Sequence, residues 1–485
     1  MKSGFENNGI VRFKILWDFN NITIDKGSTV LITTELNNDH KHGKKAIEAA
    51  SFVIFGFGLS QAIRLGGNII LTRLLVPEIF GIITLARVFY MGLGLFSDVG
   101  LEPAIIRSNR SNDPLFMNTA WTIQIIRSVI LAVLAAVIAY PISQFYQEPV
   151  LIFIIPLIGF VSIPDGCRST SLPLLNKELQ QKKLTFMELG IQVISLVVMA
   201  TSAYFLRNIW ALLIGEFVGS CVRMIWSHAL NKAQPNRLAL EKGAVKELLS
   251  FGKWILLSTA MMFLATQADR FILGKLFTMA MLGIYSVALN FAELPKQILA
   301  RLNGKVIFPL IVKYAHLSNT ALRDKMKVPR RRLLTIVAVL LACLGSFGDV
   351  IIHLLYDQRY QAAAWILPLL AFGMWPLILL STIESSLLAI GKPKYAAAGN
   401  LLKFLYMITV LPLSYRFAGE FGAVLAIALN DIPSYVTINI GLKKERLSLL
   451  KQDLFLTLVL CLAAALLIGI RMIMGVGVPG STEYY

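Results

Sequence analysis

Charge is scarce in this chain. Asp, Glu, Lys and Arg make up 15% of the residues against 56% hydrophobic, where soluble domains carry about a quarter charged. Cysteine is scarcer still: Cys167, Cys221, Cys343 and Cys461 all lie in or beside apolar segments and form no CxxC pair. That excludes a disulfide framework and a thiolate metal site, and leaves buried structural thiols. The five histidines are scattered, with His40 and His42 in a polar tail, so no metal cluster is expected and no cofactor is implied. No GxxxxGK[ST], HExxH or GxSxG string occurs, so the chain has no P-loop and no familiar hydrolytic motif. Residues 1–48 contain no apolar run of signal-peptide length. Acidic residues are the minority charge, 28 against 46 Lys and Arg, for a net +18. In a soluble protein that excess would suggest nucleic acid. Here the basic residues concentrate between apolar runs, where topology and anionic lipid account for them, and no nucleic-acid partner is expected.

What the chain has in abundance is long apolar runs. Thirteen are long enough to cross a bilayer, at about 20 residues for ~30 Å of hydrocarbon. They fall near residues 50–71, 78–100, 115–140, 150–167, 184–206, 209–230, 251–277, 280–300, 333–355, 362–391, 395–415, 421–441 and 454–474. If the first leaves the cytoplasm, the loops then inside carry Arg107 and Arg110, Lys177 to Lys183, Lys232 to Lys253, the run from Arg301 to Arg332, Lys392 and Lys394, and Lys443 to Lys451. The opposite loops carry only Arg73, Arg207, Lys275, Arg359 and Arg416. This alternation is the positive-inside pattern and sets a cytoplasmic N-terminus. Helices follow, because lipid offers the backbone no other partner. The expected fold is an all-α polytopic bundle of two parallel six-helix lobes plus a thirteenth helix. Residues 1–49 form a polar extension, 50–230 the first lobe, 231–250 a basic connector, 251–441 the second lobe, and 442–485 a basic loop, the last helix and a tail.

Two lobes are also written as a repeat. The string from Leu71 to Phe89 aligns without gaps to Leu273 to Phe291, pairing Leu71/Leu273, Leu74/Leu276, Gly81/Gly283, Ile82/Ile284, Ala86/Ala288 and Phe89/Phe291 as identities. Both copies span the junction between the first and second helix of a six-helix set. An even number of helices makes both sets enter from the same side, so the lobes are parallel.

Ionisable residues at membrane depth cost about 2.5–3.5 kcal/mol each on insertion scales and need a wet cavity or a partner. Arg64 shares one helical stripe with Gln61 and Asn68; Arg87 lies on the second segment; Gln124 and Arg127 lie three apart on the third. The second half is more acidic. Ser286, Asn290, Glu293 and Gln297 fall on one face of the eighth segment, Ser381, Glu384 and Ser385 on the tenth, Asp431 with Ser434 on the twelfth, and Asp269 with Arg270 in the seventh. One reading is ion pairing that holds the bundle together, chiefly for Glu188, Glu216 and Arg223. The other is a hydrated pathway with a basic wall and an acidic wall. Arginine suits a phosphate, because its charge is permanent and its donors form a planar fork. Carboxylates suit a proton or coupling cation, with Glu293, Glu384, Asp431, Asp269 and Asn290 as candidates.

The strings from Leu71 to Gly81, Phe96-Ser-Asp-Val-Gly-Leu101 and Asn118-Thr-Ala-Trp121, with Asp269 to Phe277 and Gly283 to Ala288, resemble the polysaccharide-biosynthesis flippases. These are the Wzx-type exporters of the multidrug/oligosaccharidyl-lipid/polysaccharide superfamily. The resemblance spans about residues 50–441. It implies a non-enzymatic transporter in the plasma (inner) membrane that moves a polyprenyl-pyrophosphate-linked oligosaccharide for lipopolysaccharide or exopolysaccharide synthesis. Its partners would be that substrate, membrane lipids, and polymerase and chain-length proteins of the pathway. It also implies a cation-lined cavity, which Arg64, Arg87 and Arg127 match. The thirteenth segment departs from the twelve or fourteen helices of the family. A cation-coupled multidrug antiporter of the same superfamily and a membrane-embedded polysaccharide polymerase remain as alternatives.

Overall fold

Side chains that a soluble core would bury stand outward here: Phe153, Phe205, Phe417, Leu454 and Leu466 are all exposed, as a lipid-facing surface requires. The computed structural model describes residues 55–480 apart from 98–99, 109, 111–112, 179, 231–235, 306–310, 312–313 and 315–317. The polar extension 1–49, the start of the first segment and part of the connector lie outside the described residues.

Every regular element among the described residues is helical. Helix α1 covers 55–74, followed by α2 (Pro77–Phe96), the short α3 (Leu101–Arg107), α4 (Pro114–Tyr146), α5 (Leu151–Gly166), α6 (Ser171–Lys177), α7 (Gln181–Leu206) and α8 (Trp210–Ala229). The second set begins with α9 (Lys242–Leu276), α10 (Met279–Ala292), α11 (Leu294–Lys305) and α12 (Asn319–Leu355). It continues with α13 (Ala363–Gly373), α14 (Trp375–Ser381), α15 (Glu384–Ala389), α16 (Lys394–Ala428) and α17 (Ile432–Lys444), and α18 (Leu450–Ile473) follows. Local chemistry sets several boundaries. Pro77 and Pro114 open α2 and α4, where a missing N–H costs nothing. Asp113 and Thr278 cap α4 and α10 through their side chains. Inside α16 the chain folds back at Ala418 and Gly419; Gly419 takes φ 57°, and a Cβ on Gly422 would overlap the Ser414 carbonyl.

Among the described residues, eight helical stretches are long and apolar enough to cross a membrane, or nine if α5 and α6, bent by 63°, make one crossing. One of the eight, Lys394–Lys444, is 51 residues long and contains the fold-back, so it makes two legs. The long helices α1 and α9 are not among them; α1 carries the stripe Gln61, Arg64 and Asn68, and α9 carries Asp269 and Arg270. The chain is thus an all-α membrane bundle of two parallel six-helix sets plus α18.

The sets meet on the repeat. Gly81 lies against the carbonyl of Met279, and Gly283 lies against the carbonyl of Pro77. Thr84 and Ser286 join by a hydrogen bond of 3.1 Å. In the alignment Pro77 matches Met279, Gly81 matches Gly283 and Thr84 matches Ser286, so each contact is made twice or with its own counterpart. At the same end of the bundle, Tyr146 donates to the Phe271 carbonyl at 3.0 Å and Lys275 to that of Phe145 at 2.7 Å. Tyr360 donates to Leu75 at 3.2 Å, and Arg359 to Thr72 and Arg73 at 3.1 Å each. Edge-on pairs Phe89–Tyr146 and Phe291–Tyr356 repeat the pattern. This end is closed.

At the other end the connector lies extended on α4. The amides of Arg237, Ala239 and Glu241 donate to Asn118, Thr122 and Thr119, alternate residues presenting their N–H groups to one side. Arg110 binds Asp113 and Glu241 there, and its guanidinium holds the Asp113 carboxyl below the usual carboxylate range. Helix α18 packs along α12 through two buried pairs. Arg330 meets Asp453 at 2.6 Å, and Arg471 grips Asp349 through both terminal guanidinium nitrogens. Nineteen residues of α12 separate the two, about 28 Å at 1.5 Å per residue.

Candidate functional site

Among the described residues, two cavities lined by charged side chains open inside the bundle. The larger, about 680 Å³, is lined by α1, α2, α5, α7, α8 and α10. Helix α1 brings Arg64 and Asn68, α2 brings Thr84, Arg87 and Tyr90, and the last turn of α5 brings Asp165. Helix α7 supplies Glu188 and Gln192, α8 supplies Glu216 and Arg223, and α10 closes the wall with Ser286 and Asn290.

Its carboxylates are all paired. Arg87 forms an ion pair with Glu216, and Arg223 reaches Asp165 and Glu188 at 3.2 Å each. Arg64 meets no carboxylate within ion-pair distance among the described residues; its guanidinium donates to Gln297 at 2.9 Å, which also accepts from Gln61. Asn68 accepts from Tyr356 at 2.7 Å, tying the cavity wall to the closed end. All three carboxylates of the cavity are therefore engaged by arginines, while one arginine has only an amide.

The smaller cavity, about 160 Å³, lies between α9, α10, α11, α13, α14 and α16. Asp269 accepts from the Tyr285 hydroxyl at 2.7 Å, and its second oxygen is buried with no partner. Asp431 meets the Lys403 ammonium at 2.5 Å, with both side chains largely buried. Glu293 pairs with Lys296 at 3.1 Å. Adding 202 to the residue number of a larger-cavity wall residue gives its repeat partner. Ile63, Arg64, Gly67, Asn68, Ile83 and Arg87 map onto Ala265, Thr266, Asp269, Arg270, Tyr285 and Leu289, and all six of these line the smaller cavity. The two cavities are equivalent positions of the repeat, with different contents.

Of the residues singled out by sequence, Arg64, Arg87, Asn68 and Asn290 share the larger cavity, and Asp269, Glu293 and Asp431 share the smaller. Gln61 stands behind Arg64 on Gln297. Arg127 and Gln124 are elsewhere: Arg127 donates to Ser97 and to the Gly94 carbonyl at 3.0 and 2.7 Å, and Gln124 to the carbonyls of Gly166 and Arg168. Glu384 lies in α15 and lines neither cavity. Asp165, Tyr285 and Lys296 are additions that sequence reasoning passed over. An acidic residue ending an otherwise apolar run, as Asp165 does, was the available signal. Glu188, Glu216 and Arg223 were visible but not assigned to a cavity, and Lys403 joins the smaller one. No group of three His, Cys, Asp or Glu is placed to hold a metal ion among the described residues.

A polytopic helical bundle with a repeat about its centre and a polar cavity in each half is a membrane transporter architecture. A family model for polysaccharide biosynthesis proteins matches residues 70–365, and the chain belongs to that family. It is 23% identical over 404 residues to the lipopolysaccharide biosynthesis protein WzxC of Escherichia coli, covering 81% of this chain and 79% of that one. It is 25% identical over 350 residues to the teichuronic acid biosynthesis protein TuaB of Bacillus subtilis, covering 71% and 70%. Among solved structures, the lipid II flippase MurJ in an inward closed conformation superposes with a TM-score of 0.62 at 15% identity, over 87% of this chain and 99% of that one. An inward-facing multidrug resistance transporter of the MATE family gives 0.59 at 14%, over 80% and 94%. These two share the fold.

Proposed function

We propose that this chain flips a polyprenyl-pyrophosphate-linked oligosaccharide from the cytoplasmic to the outer leaflet of the plasma (inner) membrane, for cell-surface polysaccharide synthesis. It works by alternating access of lobes 50–230 and 251–441, with the N-terminus cytoplasmic and the closed end of the bundle facing outward. It breaks no bond and is not an enzyme. Polymerase and chain-length proteins of the same pathway take the product onward.

The observation that carries this reading is the charge state of the larger cavity. Each carboxylate in it is held by Arg87 or Arg223, and Arg64 is left with a neutral partner. A cationic drug finds no free carboxylate, whereas a pyrophosphate finds Arg64 at once. It then competes with Glu216 and Glu188 for Arg87 and Arg223, replacing its lost water with charge-assisted hydrogen bonds. This weighs against the antiporter alternative. In the smaller cavity the unpartnered oxygen of Asp269 is where a coupling proton or cation lands. Asp431 and Glu293 already have ammonium partners there.

The test is polymer export in a strain dependent on this chain. Arg64→Ala, Arg87→Ala and Arg223→Ala each abolish or sharply reduce export at normal membrane abundance. Arg→Lys rescues only in part, since it keeps the charge and loses the fork. Arg127→Ala instead lowers abundance, because it removes a brace between α4 and α2. Wild-type export from the Arg64/Arg87/Arg223 triple alanine variant overturns the phosphate site.

A further inference from the structure

Helix α12 is longer than a membrane is thick. Its 37 residues span about 55 Å, while the apolar part from Leu333 to Leu355 spans about 34 Å and fits ~30 Å of hydrocarbon with a small tilt. Arg330, Arg331 and Arg332 therefore stand at the membrane boundary, and they point in different directions. Arg330 is fully buried and donates to Asp453, Gln452, Thr382 and the Leu379 carbonyl. Arg331 and Arg332 are exposed, and neither guanidinium has a hydrogen-bond or ion-pair partner among the described residues.

Both line a groove of about 600 Å³ whose other walls are Thr335, Ile336, Phe455 and Val459, between α12 and α18. The groove is apolar below and doubly cationic at its mouth. It opens on the outer face of the bundle, since the inward face of α12 is the buried set Leu333, Leu334, Val337 and Ala338. The docking that shapes it is fixed, because Arg330–Asp453 holds α18 one residue away from the exposed pair.

We infer that this seam is a binding site for an anionic phospholipid of the surrounding bilayer, its phosphate held by Arg331 and Arg332 and an acyl chain lying along Ile336, Phe455 and Val459. The chemistry is complementary at both ends. Two unpartnered planar donor forks match phosphate oxygens at headgroup depth, and the aromatic and branched walls match a hydrocarbon chain. A zwitterionic lipid has its own ammonium beside the phosphate, which the two arginines repel. The site is separate from both internal cavities, and the inference does not rest on the transport reading.

The full chain in a neutral detergent is titrated with phosphatidylglycerol or with phosphatidylcholine of the same acyl chains, and bound lipid is read by native mass spectrometry alongside the melting temperature. Phosphatidylglycerol is retained and raises the melting temperature; phosphatidylcholine does so more weakly. Arg331→Ala with Arg332→Ala weakens phosphatidylglycerol binding about tenfold or more. Ile336→Trp, which fills the groove and leaves both arginines, weakens it comparably, so the result does not depend on one variant. Undiminished phosphatidylglycerol binding in both variants overturns the site. Equal stabilisation by glycerol 3-phosphate would make it a free-phosphate site, and preferential retention of polyprenyl phosphate would make it a carrier-lipid site; either result also overturns the inference.

Discussion

Removing Asp453 leaves a guanidinium charged and stranded. Arg330 and Asp453 are 0% and 3% exposed as side chains, and breaking a buried ion pair by deleting one partner costs about 3–5 kcal/mol. Asp453→Ala also orphans the Tyr435 hydroxyl, which donates to the other carboxylate oxygen at 2.8 Å. The loss therefore belongs at the upper end of that range. The paired replacement Arg330→Met with Asp453→Leu removes both charges and leaves only neutral groups short of a partner, the Tyr435 hydroxyl chief among them, at about 1–3 kcal/mol. The double variant should be more stable than the single one by about 2 kcal/mol or more, the difference between those two ranges. Denaturant titration of the purified chain in micelles measures this. Trp375, whose indole donates to Thr457 of α18 at 2.9 Å, reports undocking of α18 by fluorescence. A double variant as unstable as Asp453→Ala would refute the reasoning. It would mean that packing volume, not the stranded charge, sets the loss.

At the lobe contact, Gly81→Ala and Gly283→Ala each press a methyl against an opposing backbone carbonyl and should cost about 1–3 kcal/mol. Together they should cost less than their sum, because the first already parts the helices; strict additivity in the same titration would count against a shared contact. Glu216→Gln releases Arg87, so a pyrophosphate lipid should bind about tenfold tighter, ~1.4 kcal/mol, and polymer export should fall as release slows. Unchanged affinity would show that Glu216 is no competitor. Arg359 holds the Asp357 carboxyl below its ordinary range. The stabilisation this gives the closed end is complete above the ordinary carboxylate pKa and fades only as pH falls through the lowered value. Hydrogen exchange of residues 356–361, corrected for intrinsic rates, should then be flat from pH 5 to 8 and should rise at neutral pH in Asp357→Asn.

The periodicity of apolar runs was enough to read the helices, because a membrane makes hydrophobic length and helical crossing nearly the same thing. Spacing also puts Gln61, Arg64 and Asn68 on one face of α1; in the structure Arg64 and Asn68 line the larger cavity and Gln61 donates to Gln297. What spacing cannot give is the neighbour opposite that face. Arg127 and Gln124 share a stripe just as clean, yet they face the end of α2 and the bend between α5 and α6. Helix ends and bends leave backbone carbonyls without intrahelical donors, and these two side chains satisfy them at Gly94, Gly166 and Arg168. Pairing was hidden for the same reason: Lys403 and Asp431 are 28 residues apart, and only the fold-back at Gly419 brings them together. The string Asn118-Thr-Ala-Trp121 was legible as a resemblance but not as mechanics. Its Asn118 and Thr119 hold the connector, and Trp121 donates to the Cys167 carbonyl at 3.1 Å.

The glycines that meet across the lobes make a contact of the kind two identical chains form around a two-fold axis. An ancestor of half this length, pairing with itself, would have owned one pocket displayed twice, with the same side chains in both. Such a dimer could not give its two pockets different linings, because any residue recruited in one would appear in the other. Fusion into one chain removes that restriction. Arg87 faces its cavity while its counterpart is Leu289, and Asp269 faces the other while its counterpart is Gly67. The positions that still match, Gly81 with Gly283 and Thr84 with Ser286, are those where the halves must continue to fit each other.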